Sequence, residues 1–203
     1  MDKVIYTNKM YEDVIRQKPK RILFRSLIVL FFLGVIYGSL LARNADGYLV
    51  KISESFLLAK QSETFLSATL SSLISSFVFL LLLFLNGFSA VGQPFSIFIL
   101  FFKGMGLGIT MGHFYINLGF KGVLTSLILL VPAGVISGYA ILLATRESIK
   151  LSNVFFKITA VKNFALQENA FKGYCRKYLL LVLLSIASAV LSGVSTLLYS
   201  KFL

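Results

Sequence analysis

Five long apolar runs constrain the fold of this chain more than any other feature. We predict membrane spans at approximately 22–42, 70–90, 95–116, 123–145 and 178–200. Each run is long enough to cross about 30 Å of hydrocarbon as an α-helix, which advances about 1.5 Å per residue. The runs show no alternation of apolar and polar residues. The sequence therefore predicts an all-α, polytopic helical bundle that forms a single membrane domain over residues 1–203.

Basic residues gather in two segments and predict the orientation of the bundle. Residues 1–25 and residues 146–177 each carry seven Lys or Arg. Segments of this kind face the cytoplasm, and both do so only if an even number of spans separates them. Four of the predicted spans lie between them, so the N-terminus is predicted to be cytoplasmic and the C-terminus to lie outside. The basic residues of these two segments account for the net charge of +12. The charge therefore does not indicate a nucleic-acid partner.

The basic segment 146–177 also repeats apolar residues at helical spacing. Leu151, Val154, Phe155 and Ile158 alternate with lysines, which is typical of a basic amphipathic helix at the cytoplasmic surface. Two interpretations stand for it: a contact with the anionic face of the lipid bilayer, or a docking site for a partner protein.

Small residues recur four positions apart in the predicted spans. On an α-helix this spacing places them on one face, where the missing side chains let a second helix approach closely. The pattern favours a compact bundle, a homo-oligomer or a hetero-oligomer. The glycines in question are Gly34, Gly38, Gly104, Gly108, Gly112, Gly134 and Gly138.

Two further residues interrupt the apolar spans. Pro132 removes one backbone hydrogen bond from the fourth span and predicts a kink there. Lys103 lies in the middle of the third span, where it either pairs with an anionic or polar group or extends to the headgroups. No predicted span contains Asp or Glu. The candidate polar partners are therefore Gln93, Asn86, Asn117 or another protein.

The sequence lacks a recognisable constellation of catalytic residues. The single histidine, His113, and the single cysteine, Cys175, lack the companions that a metal site or a nucleophile requires. We therefore predict no catalytic, cofactor-binding or metal-binding residues, and a protein that is not an enzyme. An alternative function is a small transporter or channel of the cell envelope. Lys103, the glycine row and Pro132 favour this alternative.

The central part of the chain resembles the stage II sporulation protein M family. Matching features are a glycine-containing turn before Gln93-Pro94, a Lys-Gly pair, a row of spaced glycines, a second glycine turn and a proline in the next helix. They lie at 85–94, 101–104, 108–112, 117–122 and 131–132, and residues 33–38 are also similar. One departure is Ala133-Gly134, where the family commonly has Gln-Asn after the proline.

The resemblance implies a non-enzymatic scaffold in the cell membrane. In that family the M protein is thought to anchor two peptidoglycan-degrading partners, the stage II sporulation D and P proteins. They remodel the septal wall during engulfment, when a mother cell surrounds the forespore in endospore formation. Short segments outside the membrane and the lack of catalytic groups agree with such a role.

Overall fold

The computed structural model describes residues 21–44, 65–160 and 168–202, and these are almost entirely helical. Four of the helices contain a segment that is long and apolar enough to cross a membrane, and a fifth span arises if two bent segments count as one. The predicted all-α membrane fold is therefore confirmed. The helices are α1 (Arg21–Asn44), α2 (Phe65–Gly87), α3 (Gly92–Leu129), α4 (Val131–Ala160) and α5 (Glu168–Phe202).

The helices pack as two groups that meet at α3 and α4. Helix α1 contacts chiefly α3, whereas α2 packs against α4 and α5. Fully buried leucines such as Leu80, Leu83 and Leu100 fill the space between the helices. Large apolar side chains such as Phe32 and Phe98 are exposed on the outside of the bundle. An apolar exterior of this extent is what a lipid-facing surface requires.

A tight turn at residues 88–91 joins α2 to α3. Its backbone amides donate to carbonyls of the preceding turn, from Phe88 to Leu85 at 3.1 Å and from Ser89 to Asn86 at 3.2 Å. Helix α3 then begins at Gly92, with Pro94 in its first turn, where a missing amide hydrogen leaves no bond unmade. The turn fixes α2 and α3 as antiparallel neighbours.

Helix α3 is broken at Gly119, and the region of the fourth predicted span is bent. Gly119 has φ 57° and ψ −137°, a conformation accessible essentially only to glycine. The apolar segment before the break is Gly92–Ile116, and the chain continues as Gly122–Ile128 and Val131–Phe156, which meet at 54°. The predicted span 123–145 thus consists of two segments. Pro132 lies just beyond the bend, where it cannot donate to the carbonyl of Ile128.

Replacing Gly119 with alanine is expected to destabilise the protein by about 1–3 kcal/mol, because a Cβ is strained at this positive φ. The matched control is Gly106→Ala, which lies in the regular part of α3, where an added methyl group would have no neighbouring heavy atom within 4 Å. Thermal unfolding of both purified variants in detergent measures the difference. Equal unfolding temperatures for the two variants would show that residue 119 does not hold this conformation.

The described part of the basic segment 146–177 extends two spanning helices. Residues up to Ala160 continue α4, and α5 begins at Glu168; residues 161–167 lie outside the described part. Leu151 and Val154, on the apolar face of the predicted amphipathic helix, are buried in the bundle. The structure therefore differs from a separate helix on the bilayer surface. The apolar face packs instead on neighbouring rings, as Phe155 does on Phe88 with centroids 6.0 Å apart.

Candidate functional site

The glycines of α1 and α3 face each other across one helix–helix contact. A methyl group placed on Gly34 would lie 2.5 Å from the carbonyl oxygen of Phe101, and one on Gly104 would lie 2.5 Å from that of Phe31. Real side chains almost never come so close to a carbonyl oxygen. Only glycine therefore permits these two backbones to approach as they do.

The same contact continues along both helices. Gly38 lies against the backbone of Met105, and Gly108 lies against the backbone of Val35. Gly112 completes the row, where an added methyl group would lie 3.0 Å from the carbonyl oxygen of Ser39. The five glycines thus belong to one surface, which we call the glycine interface: Gly34, Gly38, Gly104, Gly108 and Gly112.

Gly134 and Gly138 of α4 have a different environment. A methyl group on Gly134 would meet the side chain of Leu107 at 3.2 Å, and one on Gly138 would meet the ring of Phe31 at 2.8 Å. These glycines therefore receive side chains from α3 and α1, whereas the glycine interface brings backbones together. They hold α4 against the α1–α3 pair.

Lys103 of α3 extends towards α2. Its Nζ atom lies 4.8 Å from the centre of the Phe79 ring, a distance at which a cation is attracted to an aromatic face. Gln93 is engaged elsewhere, because its amide nitrogen donates to Oδ1 of Asn153 at 2.9 Å. Asn117 belongs to α3 just before the break, and its side chain lies outside the described part. The structure thus does not join Lys103 to Gln93.

An aromatic group at one end of the bundle was not found by the sequence analysis. Tyr174 of α5 stacks on Phe84 with centroids 5.3 Å apart, and its hydroxyl donates to the Phe84 carbonyl at 3.1 Å. Tyr178 lies 4.6 Å from Tyr174 and donates to the carbonyl of Ala144 at 3.1 Å. Phe88 packs edge-on against Tyr174. We call these four residues, Phe84, Phe88, Tyr174 and Tyr178, the tyrosine cluster.

Buried hydroxyl groups link α4 to the start of α3 beside the tyrosine cluster. The Oγ atoms of Ser96 and Ser148 are 2.9 Å apart, and both side chains are inaccessible to solvent. Ser152 donates to the carbonyl of Ser89 in the turn at 2.7 Å. A hydrogen bond between buried groups is retained in lipid because water does not compete for it. These bonds fix the turn to α4.

Ion pairs add a further link between α4 and α5. Glu147 accepts from Lys150 at 2.5 Å and from Lys177 of α5 at 2.7 Å. The carboxylate is mostly buried, whereas both lysines are more exposed. The interaction between the helices is therefore weakened by solvent and salt and mainly fixes their relative register.

The serine and tyrosine hydroxyls and the Glu147 carboxylate described above all have polar partners and support helix packing. Within residues 21–44, 65–160 and 168–202, no three side chains of His, Cys, Asp or Glu come together to hold a metal ion. His113 is buried in α3 and Cys175 is half-buried in α5. These hydrogen bonds and ion pairs hold the helices at fixed positions.

Comparison with known proteins assigns most of this chain to one family. A family model described as Stage II sporulation protein M matches residues 27–196. Neither the comparison with curated proteins nor the comparison with solved structures found a match. The matched region includes the glycine interface, the turn at 88–91 and the tyrosine cluster, and it confirms the resemblance found in the sequence. The chain belongs to the stage II sporulation protein M family of multi-pass membrane proteins.

Proposed function

We propose that this protein is a non-enzymatic scaffold that anchors peptidoglycan-degrading partners in the cell membrane. The partners are the stage II sporulation D and P proteins, and the process is septal wall remodelling and engulfment during endospore formation. The observation that carries the proposal is the family match over residues 27–196. The hydroxyls of Tyr174 and Tyr178 support it, because their hydrogen bonds join α5 to α2 and to α4.

A scaffold needs helix faces held at fixed positions, and two features of the bundle supply them. The glycine interface holds α1 against α3 through backbone contacts. The tyrosine cluster holds α2, α4 and α5 together at one end, and the serine hydrogen bonds join α4 to the start of α3 and to the turn. A surface that is ordered before binding loses less entropy when a partner docks. Rigid helix packing therefore favours partner binding.

A small transporter or channel is a second candidate, which Lys103 and the 54° bend before Val131 favour. Broken helices and intramembrane charges often mark transport pathways. Currents through the reconstituted protein in planar bilayers test this function. A current that disappears in Lys103→Ala would favour transport, and the absence of any current in the wild type would count against it.

Affinity purification after crosslinking tests the scaffold directly. The tagged protein is recovered from native membranes of growing and of sporulating cells, and the attached proteins are identified. We expect the D and P proteins in sporulating cells, and about tenfold less of them with Gly108→Leu, which disrupts the glycine interface. Gly173→Leu serves as the control, because no heavy atom lies within 4 Å of a methyl group placed there.

Recovery of a self-oligomer without any wall enzyme, in both growth states, would contradict the scaffold. Equal recovery of the D and P proteins with Gly108→Leu and Gly173→Leu would instead show that their binding does not depend on the glycine interface.

A further inference from the structure

One side of α3 is left open by the packing of the bundle. Gly104 and Gly108 face α1, and Gly106 lies on the opposite side of the helix, because two residues turn an α-helix by about 200°. Gly106 is exposed, and a methyl group placed on it would meet no heavy atom within 4 Å. A second helix can therefore approach the α3 backbone at this point.

Lys103 lies beside Gly106, one helical turn away. Its ammonium group contacts the ring of Phe79, which attracts a cation but is no conventional hydrogen-bond acceptor for its three N–H groups. Within the described part of the chain, Lys103 has no ion pair. The carboxylate of Glu147 is occupied by Lys150 and Lys177.

The Lys103 ammonium group is also far from the ends of the helices. Its contact, Phe79, lies eight residues before the end of α2 at Gly87, which corresponds to about 12 Å along the helix. The hydrocarbon layer is about 30 Å thick, so the charge lies near its middle. Charged side chains at that depth are costly and are normally paired. An acceptor from another molecule would satisfy Lys103.

The acceptor is best supplied by a different protein. The candidate spans of this chain at Leu23–Arg43, Phe65–Gly87, Gly92–Ile116 and Phe171–Leu197 contain no Asp or Glu. A second copy therefore has no acidic residue to offer from these spans. A lipid phosphate resides at the membrane surface, at a different depth from Lys103.

We propose that Phe102, Lys103, Gly106 and Thr110 form a docking face for a transmembrane helix of another protein, with an Asp or Glu near mid-membrane. The carboxylate of that helix pairs with Lys103, and Gly106 allows the two backbones to come close. Thr110 leaves room beside Gly106, because its hydroxyl is turned back to the Gly106 carbonyl at 2.9 Å. The inference rests on the proposed function, since it assigns the surface by which the scaffold holds a partner.

Designed helices of about 20 leucine-rich residues test the docking face in vesicles. The full-length protein, labelled for energy transfer, is reconstituted in phosphatidylcholine with helices that carry Asp, Asn, Leu or Lys at the centre. We expect the Asp helix to associate about tenfold more tightly than the Leu helix. The preference should vanish with Lys103→Met, and Lys103→Glu should favour the Lys helix instead.

Gly106→Leu should weaken association with the Asp helix, and Gly173→Leu should leave it unchanged. The reversed preference of Lys103→Glu is a gain of binding, which a misfolded variant would not show. Equal association of the Asp and Leu helices with the wild type would overturn the inference. So would a preference that phosphatidylglycerol abolishes, because lipid phosphate would then occupy Lys103.

The vesicles contain no wall enzyme, so this test is separate from that of the scaffold. If the Asp helix is not preferred in vesicles but the D and P proteins are recovered normally from cells, only the docking face is contradicted. If the Asp helix is preferred but no wall enzyme is recovered from cells, the docking face is supported and the proposed partners are contradicted.

Discussion

Replacing Gly108 with leucine is expected to lower the free energy of unfolding by about 3 kcal/mol. The backbone carbonyl of Val35 occupies the place that a side chain at residue 108 would need. A leucine therefore has no rotamer that avoids α1, and the two helices must separate. Separation also opens the contacts of Gly34, Gly38 and Gly104, because they belong to the same interface. Titration with sodium dodecyl sulfate in mixed micelles measures the free energy.

The control for Gly108→Leu is Gly106→Leu, two residues away in the same helix. Both variants have the same helix propensity and added volume, but a methyl group placed on Gly106 would meet no heavy atom within 4 Å. We expect near-wild-type stability for Gly106→Leu, with a small gain from replacing a helical glycine. Similar losses in both variants would show that α1 does not contact α3 through the glycine interface.

Replacing Tyr174 with alanine is expected to cost about 3 kcal/mol, because it leaves a cavity in the tyrosine cluster. The ring contacts Phe84, Phe88 and Tyr178 and is only 5% exposed. Its removal also leaves the Phe84 carbonyl without the hydroxyl that donates to it. Since the cluster joins α2 to α5, unfolding should begin at this end of the bundle. The same detergent titration measures the loss.

Two further variants separate the parts of the Tyr174 effect. Tyr174→Phe keeps the ring and removes one hydrogen bond, so a loss of about 1 kcal/mol is expected. Tyr139→Ala removes a tyrosine whose side chain is half-exposed, and it should change stability little. If Tyr139→Ala and Tyr174→Ala were equally destabilised, the tyrosine cluster would have no special part in holding the helices.

The glycine interface shows how far spacing along the sequence can define a contact. The sequence identifies Gly34, Gly38 and the row from Gly104 to Gly112, because these glycines are four residues apart. That spacing places each set on one helix face. The spacing is a property of one helix and does not specify which other helix it meets. Gly134 and Gly138 have the same spacing but receive the side chains of Leu107 and Phe31. The difference depends on the tertiary arrangement.

Helix α1 begins and ends within two residues of the predicted span 22–42, whereas α5 begins at Glu168, ten residues before the predicted span 178–200. Pro132 indicated a disturbance in the fourth span, and the structure has a separate segment Gly122–Ile128 before the bend. That segment is mostly apolar, with Thr125 and Ser126 as its polar residues, so hydropathy does not separate it from the helix that follows. The break at Gly119 arises from one backbone conformation, which the sequence permits but does not require.

The sequence did not predict the tyrosine cluster, and the segment 146–160 differs from the separate amphipathic helix that was predicted. Tyr174 and Tyr178 are spaced to share a face with each other, as are Phe84 and Phe88, and that spacing was the available signal. The two tyrosines lie on either side of Arg176 and Lys177, in a segment whose basic residues predict a position at the cytoplasmic surface. Leu151 and Val154 fit a surface helix and a buried helix end equally well, and the bundle supplies a partner for them.

Binding of purified components tests the scaffold most directly. The protein is placed in lipid nanodiscs and mixed with the purified D and P proteins of the same organism, and complex formation is measured at increasing concentrations. The scaffold predicts saturable binding that Gly108→Leu weakens about tenfold and Gly173→Leu preserves. Absence of binding by the folded wild-type protein to either partner would contradict the scaffold.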